Sequence, residues 1–198
     1  MLRDTVMDEL HKIKKQLSRA LDDKRYEHTL GVAYTAAALA MRYNLDIKKA
    51  EIAGLLHDCA KCMDNEKKVS ICEKHNIEIT DAEKKNLFLL HAKVGAYVAQ
   101  KKYHVDDPDI LNAIKYHTTG RPGMSPLEKI VYIADYIEPG RTHASNLDEV
   151  RRLAFQNLDE ALIIILNDIL VHLKGTKKEI DPMTQQSYDY YRSYEKRL

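Results

Sequence analysis

Apolar residues recur at steps of three and four along nearly the whole chain. That period lets an α-helix bury one continuous stripe, whereas a strand, with its period of two, would scatter the same residues over both faces. Seven glycines, five prolines and no tryptophan among 198 residues leave few interruptions. The spacing therefore predicts an all-α chain, with helices at 3–20, 23–43, 47–60, 65–75, 81–87, 91–103, 108–118, 126–138, 147–155, 158–174 and 182–195. The phrases "TDAE" and "SPLE" read as capping boxes, in which Thr80 or Ser125 accepts from the third helical amide while Glu83 or Glu128 reaches back. Pro108, Pro126 and Pro182 each follow a plausible N-cap, where a missing N–H costs nothing. The chain shows no sustained strand alternation, internal repeat or low-complexity tract.

No Gly/Ser/Pro linker divides the sequence, so residues 1–198 are expected to form a single domain, with the helix at 1–20 packed on it. Lysine and arginine number 31 against 30 acids, so no global field draws the protein to nucleic acid or an anionic membrane. Phosphate binding would have to be local. The longest apolar stretch, "ALIIILNDILVHL" at 161–173, is too short to cross a bilayer and is broken by Asn167 and Asp168. It reads equally as a core helix and as a homodimer contact. The first residues carry charges throughout and lack a secretory h-region, which makes the cytoplasm the expected compartment. Three cysteines argue against a disulfide framework. Cys59 and Cys62 form a C-x-x-C without a second pair to close a zinc site, so they are expected to be ordinary reduced thiols.

Six polar residues interrupt apolar surfaces: His28 in "RYEHTLGVA", His57 and Asp58 in "AGLLHDCAK", His91 in "LLHAKVGAYV", His117 in "IKYHTTG" and Asp135 in "VYIADYIEPGR". Singly, each is an ordinary core or surface group. Burying all of them without partners would cost several kcal/mol apiece, and one shared cation removes that cost. Adjacent helical positions point about 100° apart, so His57 and Asp58 would have to flank an ion near a helix end, with His28 and Asp135 arriving from neighbouring helices. Two imidazoles and two carboxylates without a thiolate make a mixed N/O set suited to iron or manganese and leave positions open for chemistry. His91 and His117 read either as phosphate contacts or as part of a second ion site. His11, His75, His104, His143 and His172 have no comparable setting.

The ordered set H…HD…H…H…D resembles the HD superfamily of metal-dependent phosphohydrolases. The longer phrases "RYEHTLGVAYTAAALA", "AGLLHDCAK", "HAKVGA", "KYHTTGRPGMSPLEKIVYIADYIEPGR" and "DPMTQQSYDYYR" resemble one branch more closely, the bacterial YqeK family of symmetrical diadenosine-tetraphosphate hydrolases. The resemblance implies an HD-type helical bundle, a bound metal, most simply iron, with manganese, cobalt or zinc as substitutes, and attack of metal-bound water on the dinucleotide to give two ADP. It assigns His28, His57, Asp58 and Asp135 to the metal. It places Arg25, His28, Asp58, His91, His117, Thr118, Asp135, Arg141 and the segment Lys178, Glu179, Ile180, Asp181, Pro182 and Met183 around the nucleotide, so that residues 178–198 contribute to its pocket. Asp58, His91, His117 and Arg141 are the implied catalytic residues. Related sequences often read "HDIGK" or "HDIAK" where this chain has "HDCAK".

On the residues alone, Arg25 is either a phosphate contact or a surface arginine paired with Asp22 or Glu27. Lys61 either orients Asp58 or is a solvated helix-end lysine. The tail tyrosines Tyr188, Tyr190, Tyr191 and Tyr194 pack in the core or hold a purine, core packing being the commoner fate. Other HD-type nucleotidases or phosphodiesterases, a non-catalytic nucleotide sensor, and a helical interaction protein without stoichiometric metal are the competing readings. No GYP-type extension accompanies the HD set, which counts against cyclic dinucleotides.

Overall fold

A computed structural model describes residues 2–142, 144–176 and 180–195. Its elements are α1 (Leu2–Ala20), α2 (Asp23–Arg42), α3 (Ile47–Leu56), α4 (Asn65–Lys74), α5 (Asp81–Lys85), a single 3₁₀ turn (Leu87–Leu89), α6 (Leu90–Tyr103), α7 (Pro108–Tyr116), α8 (Pro126–Ile137), α9 (Leu147–Ala154), α10 (Leu158–Lys174) and α11 (Pro182–Glu195). Among the described residues there is no strand, as the period required.

The capping chemistry is where the sequence put it. Thr80 with Glu83 and Ser125 with Glu128 both form complete capping boxes, and Pro108 follows the N-cap Asp107. Three helices stop two or more residues earlier than the spacing predicted. The segment expected at 47–60 ends at Leu56, that at 108–118 ends at Tyr116, and that at 81–87 gives way to the 3₁₀ turn after Lys85. Both α3 and α7 end on a histidine, His57 and His117, and the reason lies in how those rings are held.

The core centres on α2, which packs along α3 and against α8. Its buried face is lined by small residues, Thr29, Val32, Ala33, Ala36 and Ala40, with Leu39. Gly54 of α3 meets this face so closely that an added Cβ would stand 2.7 Å from the Ala33 Cα. No side chain fits there, and the close approach brings the end of α3 beside His28 of α2. Leu10, Ile13 and Leu17 of α1 join the same core, as do Ala161, Leu162, Ile165 and Leu166 of α10. The apolar stretch at 161–173 is therefore largely a core helix, although Val171 is exposed. Among the described residues no helix is long and apolar enough to cross a membrane.

Candidate metal centre

His57, His91 and His117 are held by one local device used three times. Their Nδ1 atoms lie 2.7, 2.6 and 2.7 Å from the carbonyl oxygens of Gly54, Phe88 and Ile114, each three residues earlier. A carbonyl only accepts, so each Nδ1 carries a proton and each ring turns its Nε2 inward. The Gly54 and Ile114 carbonyls lie at the ends of α3 and α7, which fixes His57 and His117 just beyond those helices, whereas His91 sits in the first turn of α6 and bonds back to the 3₁₀ turn. This is also why His57 and Asp58 converge despite their adjacency: once α3 has ended, the Asp58 carboxylate folds back to 3.5 Å from His57 Nε2.

The other two expected ligands arrive from α2 and α8. His28 Nε2 lies 3.0 Å from Asp135 Oδ1, and His57 Nε2 lies 4.0 Å from the same oxygen. Ligand atoms at about 2.1 Å from one ion stand about 3 to 4 Å from each other, so these separations fit a shared cation. Among the described residues the buried His57 Nε2 and Asp58 Oδ1 meet no hydrogen-bond partner, a deficit that a cation would remove. Three overlapping groups of such ligand atoms form: His28 with His57 and Asp58; His57 with His117 and Asp135; and Asp58 with His91 and His117.

The five rings make a row. Centroids are 5.3 Å apart from His28 to His57, 5.1 Å from His57 to His117, 5.0 Å from His117 to His91 and 5.1 Å from His91 to Phe88. At one end stand Asp135, Arg141 and Glu138. Arg141 Nη2 donates to Asp135 Oδ1 at 2.5 Å, and its Nε donates to the Asp135 carbonyl. At the other end Lys61 Nζ donates to His91 Nε2 at 3.0 Å and lies 3.4 Å from Asp58 Oδ1. Arg25 reaches Asp58 Oδ2 at 2.8 Å, so neither it nor Lys61 is a solvated surface cation.

Burial alone would raise the Asp58 carboxyl, but His57, His117 and His91 around it hold it well below the usual carboxylate range. Asp135 is partly exposed; desolvation raises its carboxyl too, but its hydrogen bond to His28, with His57 and Arg141 nearby, keeps it low. Burial pushes His91 down to about 4 against the help of Asp58, so the ring is neutral near pH 7.

Beside Asp135 a cavity of about 750 Å³ opens between α8, α9 and α10. His117, Thr118, Asp135 and Arg141 line its inner end, and Tyr132, whose buried hydroxyl meets no partner among the described residues, lines its wall. His172, which the sequence left as a structural or surface residue, also lines it. Asp181 and Met183 line a smaller, separate cavity of about 60 Å³, which Thr118 joins as well. Ile180 and Pro182 flank Asp181, Pro182 opening α11. Lys178 and Glu179 lie outside the described residues, as does His143. The tail tyrosines pack inward: Tyr191 is buried with its hydroxyl accepting from the Met124 amide, and Tyr188 and Tyr190 lie against the core. The Tyr194 side chain is outside the described set. Cys59 and Cys62 are free thiols, Cys59 donating to the Gly95 carbonyl and Cys62 to Asp22.

Two residues that hold the centre went unnoticed in the sequence. Glu138 Oε1 lies 3.0 Å from His28 Nδ1, the partner that fixes which nitrogen His28 offers inward. It fits only because residue 31 is glycine: an added Cβ would sit 2.5 Å from Glu138 Oε2. Arg151 donates to the carbonyls of Ile137, Glu138 and Arg141, pinning the loop that carries Glu138 and Arg141. The phrase "EPGR" after Asp135 is the available signal.

Residues 25–140 match the HD domain family. The chain is 44% identical to a protein of Bacillus subtilis (strain 168) named bis(5'-nucleosyl)-tetraphosphatase, symmetrical, over 90% of this chain and 92% of that one. A protein of the same name from Staphylococcus aureus (strain NCTC 8325 / PS 47) is 37% identical over 90% of this chain and 95% of its own length. Among solved structures, a predicted HD superfamily hydrolase involved in NAD metabolism from Clostridium acetobutylicum is 44% identical. It superimposes with a TM-score of 0.89 over 93% of this chain and 97% of that one.

Proposed function

The chain belongs to the HD domain family, and within it to the symmetrical bis(5'-nucleosyl)-tetraphosphatases; from that premise we propose that it hydrolyses diadenosine tetraphosphate at its centre to two ADP. The supporting observation is the cluster itself: His28, His57 and Asp58 bring ligand atoms within 4.8 Å of one another, as do His57, His117 and Asp135, and His57 Nε2 and Asp58 Oδ1 are buried without a hydrogen-bond partner among the described residues. His28, His57, Asp58 and Asp135 would hold the ion. When bound, a divalent or trivalent metal supplies Lewis acidity toward a phosphoryl oxygen and activates water. Iron is the ion we assign, on the mixed N/O donor set and the family resemblance.

The protein's own groups do the positioning. Overall the reaction joins the oxygen of water to phosphorus, breaks the central P–O–P link, and sends a proton to the departing ADP oxygen or to solvent. Arg141, on a loop pinned by Arg151, can turn from Asp135 toward a phosphate in the large cavity. Arg25 offers its remaining guanidinium donors beside Asp58. His117, at the inner end of the cavity, is the group we place against the leaving oxygen. His91 accepts from Lys61 and is neutral, which suits it to orient rather than to donate a proton. The large cavity, lined by His117, Thr118 and Arg141, is the place assigned to one nucleoside, and Asp181 and Met183 line the separate smaller cavity that Thr118 also joins. We extend the reading to the cytoplasm and leave the homodimer to sedimentation.

Incubating metal-loaded protein with diadenosine tetraphosphate tests the proposal. Two ADP are expected. ATP plus AMP, or no turnover with iron, manganese, cobalt or zinc while ADP still binds, overturns it, the last outcome favouring a sensor.

A further inference from the structure

A dinucleotide cut at its centre leaves one nucleoside diphosphate on each side of the metal centre, and the large cavity serves one side. At the opposite end of the ring row stand side chains that the reaction above does not use. Phe88, on the 3₁₀ turn, is 49% exposed although it is one of only two phenylalanines in the chain. Lys61 Nζ stands 4.3 Å from the centre of its ring and Lys68 Nζ 5.7 Å. Lys68 is the unusual member. It rises from α4 with 1% of its surface exposed, and among the described residues its ammonium meets no hydrogen bond or ion pair.

A lysine buried along its stem and left without a counter-ion is costly unless its charge meets an anion when the protein works. The acid whose field it feels, Asp64, sits at the start of α4, and Lys61 beside it adds repulsion. Arg25 and Lys61 already share Asp58. With Lys68 beside Lys61 and only the field of Asp64 to offset it, this end carries one more cation than the carboxylates acting on it. The neighbouring ring is aromatic, half-exposed and flat.

We propose that Lys61, Lys68 and Phe88 form the arm for the second nucleotide, the ammonium groups taking its phosphate oxygens and the Phe88 ring stacking its base. This rests on the hydrolase reading and names the half of the substrate that the cavity does not hold. Stacking and ammonium contacts recognise a phosphate-linked ring without reading base edges, so this arm tolerates any base.

The test is calorimetric titration of metal-loaded wild-type, Phe88→Leu and Lys68→Met proteins with a diadenosine tetraphosphate analogue carrying a methylene at the central bridge, beside ADP. Phe88→Leu changes an exposed side chain, and Lys68→Met keeps the buried stem, so the fold is preserved in both. The analogue should bind about tenfold more weakly to each variant, while the first ADP binds as to wild type. Unchanged analogue affinity in Phe88→Leu overturns the arm. So does an equal loss for ADP, which would put Phe88 with the first nucleotide. Wild-type turnover of diadenosine tetraphosphate, run alongside, separates the two claims. Cleavage with Phe88-independent binding leaves the hydrolase without this arm; Phe88-dependent binding without cleavage leaves the arm without the hydrolase.

Discussion

The two ends of the histidine row use the same ligand chemistry and opposite surroundings. Around His28, His57 and Asp135 a carboxylate, Glu138, lies against the outer nitrogen of His28, while the guanidinium of Arg141 donates to Asp135 from a loop. Around Asp58, His91 and His117 the supporting group is an ammonium, Lys61, which already donates to the inner nitrogen of His91. A second-sphere carboxylate strengthens a histidine as a metal ligand; a lysine 3.0 Å from a ring nitrogen takes the lone pair a metal would need. We propose on this ground that the two triads, alike in ligand type, divide into a cation site at one end and an anion site at the other. The sequence left His91 and His117 open between phosphate contact and a second ion. The position of Lys61 favours phosphate.

Asp58 belongs to both ends, so removing its charge should have the largest effect. Asp58→Asn is expected to lose stoichiometric metal and to lower turnover by about 10³-fold or more, since one change removes a ligand and the partner of Arg25 and Lys61. Elemental analysis and ADP release measure it. A variant that keeps its metal would break the idea that one carboxylate joins the two ends.

Acid should distinguish the ends next. The folded-state pKa of His91 is depressed to about 4 by burial, below its ordinary 6.5. The fold therefore favours the neutral ring. That contribution, about 3 kcal/mol, is fully present above pH 6.5 and is lost as pH falls toward 4. Thermal melts of metal-free protein at pH 7, 5 and 4 should show stability falling through that window, with a shallower fall in His91→Gln. Equal slopes in the two proteins would show that the Lys61 end does not resist protonation.

How much of this was legible in the chain follows from the range of the interactions involved. Helix period and caps are local, and Thr80, Ser125 and Pro108 carried their signals within four residues. The residues His28, His57, Asp58, His91, His117 and Asp135 stood out because each breaks an apolar face, and the structure brings them into three overlapping groups. The early ends of α3 and α7 were hidden because the stop is a side-chain bond from a histidine to its own helix, which competes with apolar periodicity that simply continues. Glu138 was hidden because its contact with His28 spans 110 residues. Lys68 sits in the charged run "NEKKVS", which carries no local sign of burial, and it is buried where α4 packs against the 3₁₀ turn and α6.

Glu138→Gln tests the carboxylate end alone. Gln can still accept from His28 through its amide oxygen, so the ring stays placed while the charge behind it is lost. Metal affinity measured by chelator competition should fall about 10- to 100-fold, with turnover at saturating metal much less affected. If affinity is unchanged, Glu138 merely fills the space that Gly31 leaves, and the contrast between the ends loses its first half.

Lys61→Met tests the other half, and its expected effect on rate is the smallest. Removing the ammonium withdraws one phosphate contact, worth about tenfold in turnover, and frees His91 Nε2 and Asp58 Oδ1. Those atoms and His117 Nε2 lie within 3.2 to 3.3 Å of one another, close enough to share an ion once the competing charge has gone. The variant should therefore take up more metal than wild type, approaching a second equivalent per chain by elemental analysis after equilibration with manganese. A wild-type protein that already binds two equivalents would mean that Lys61 moves aside for a second ion. The lysine would then be a gate over a cation site, and the opposition between the two ends would belong only to the metal-free state.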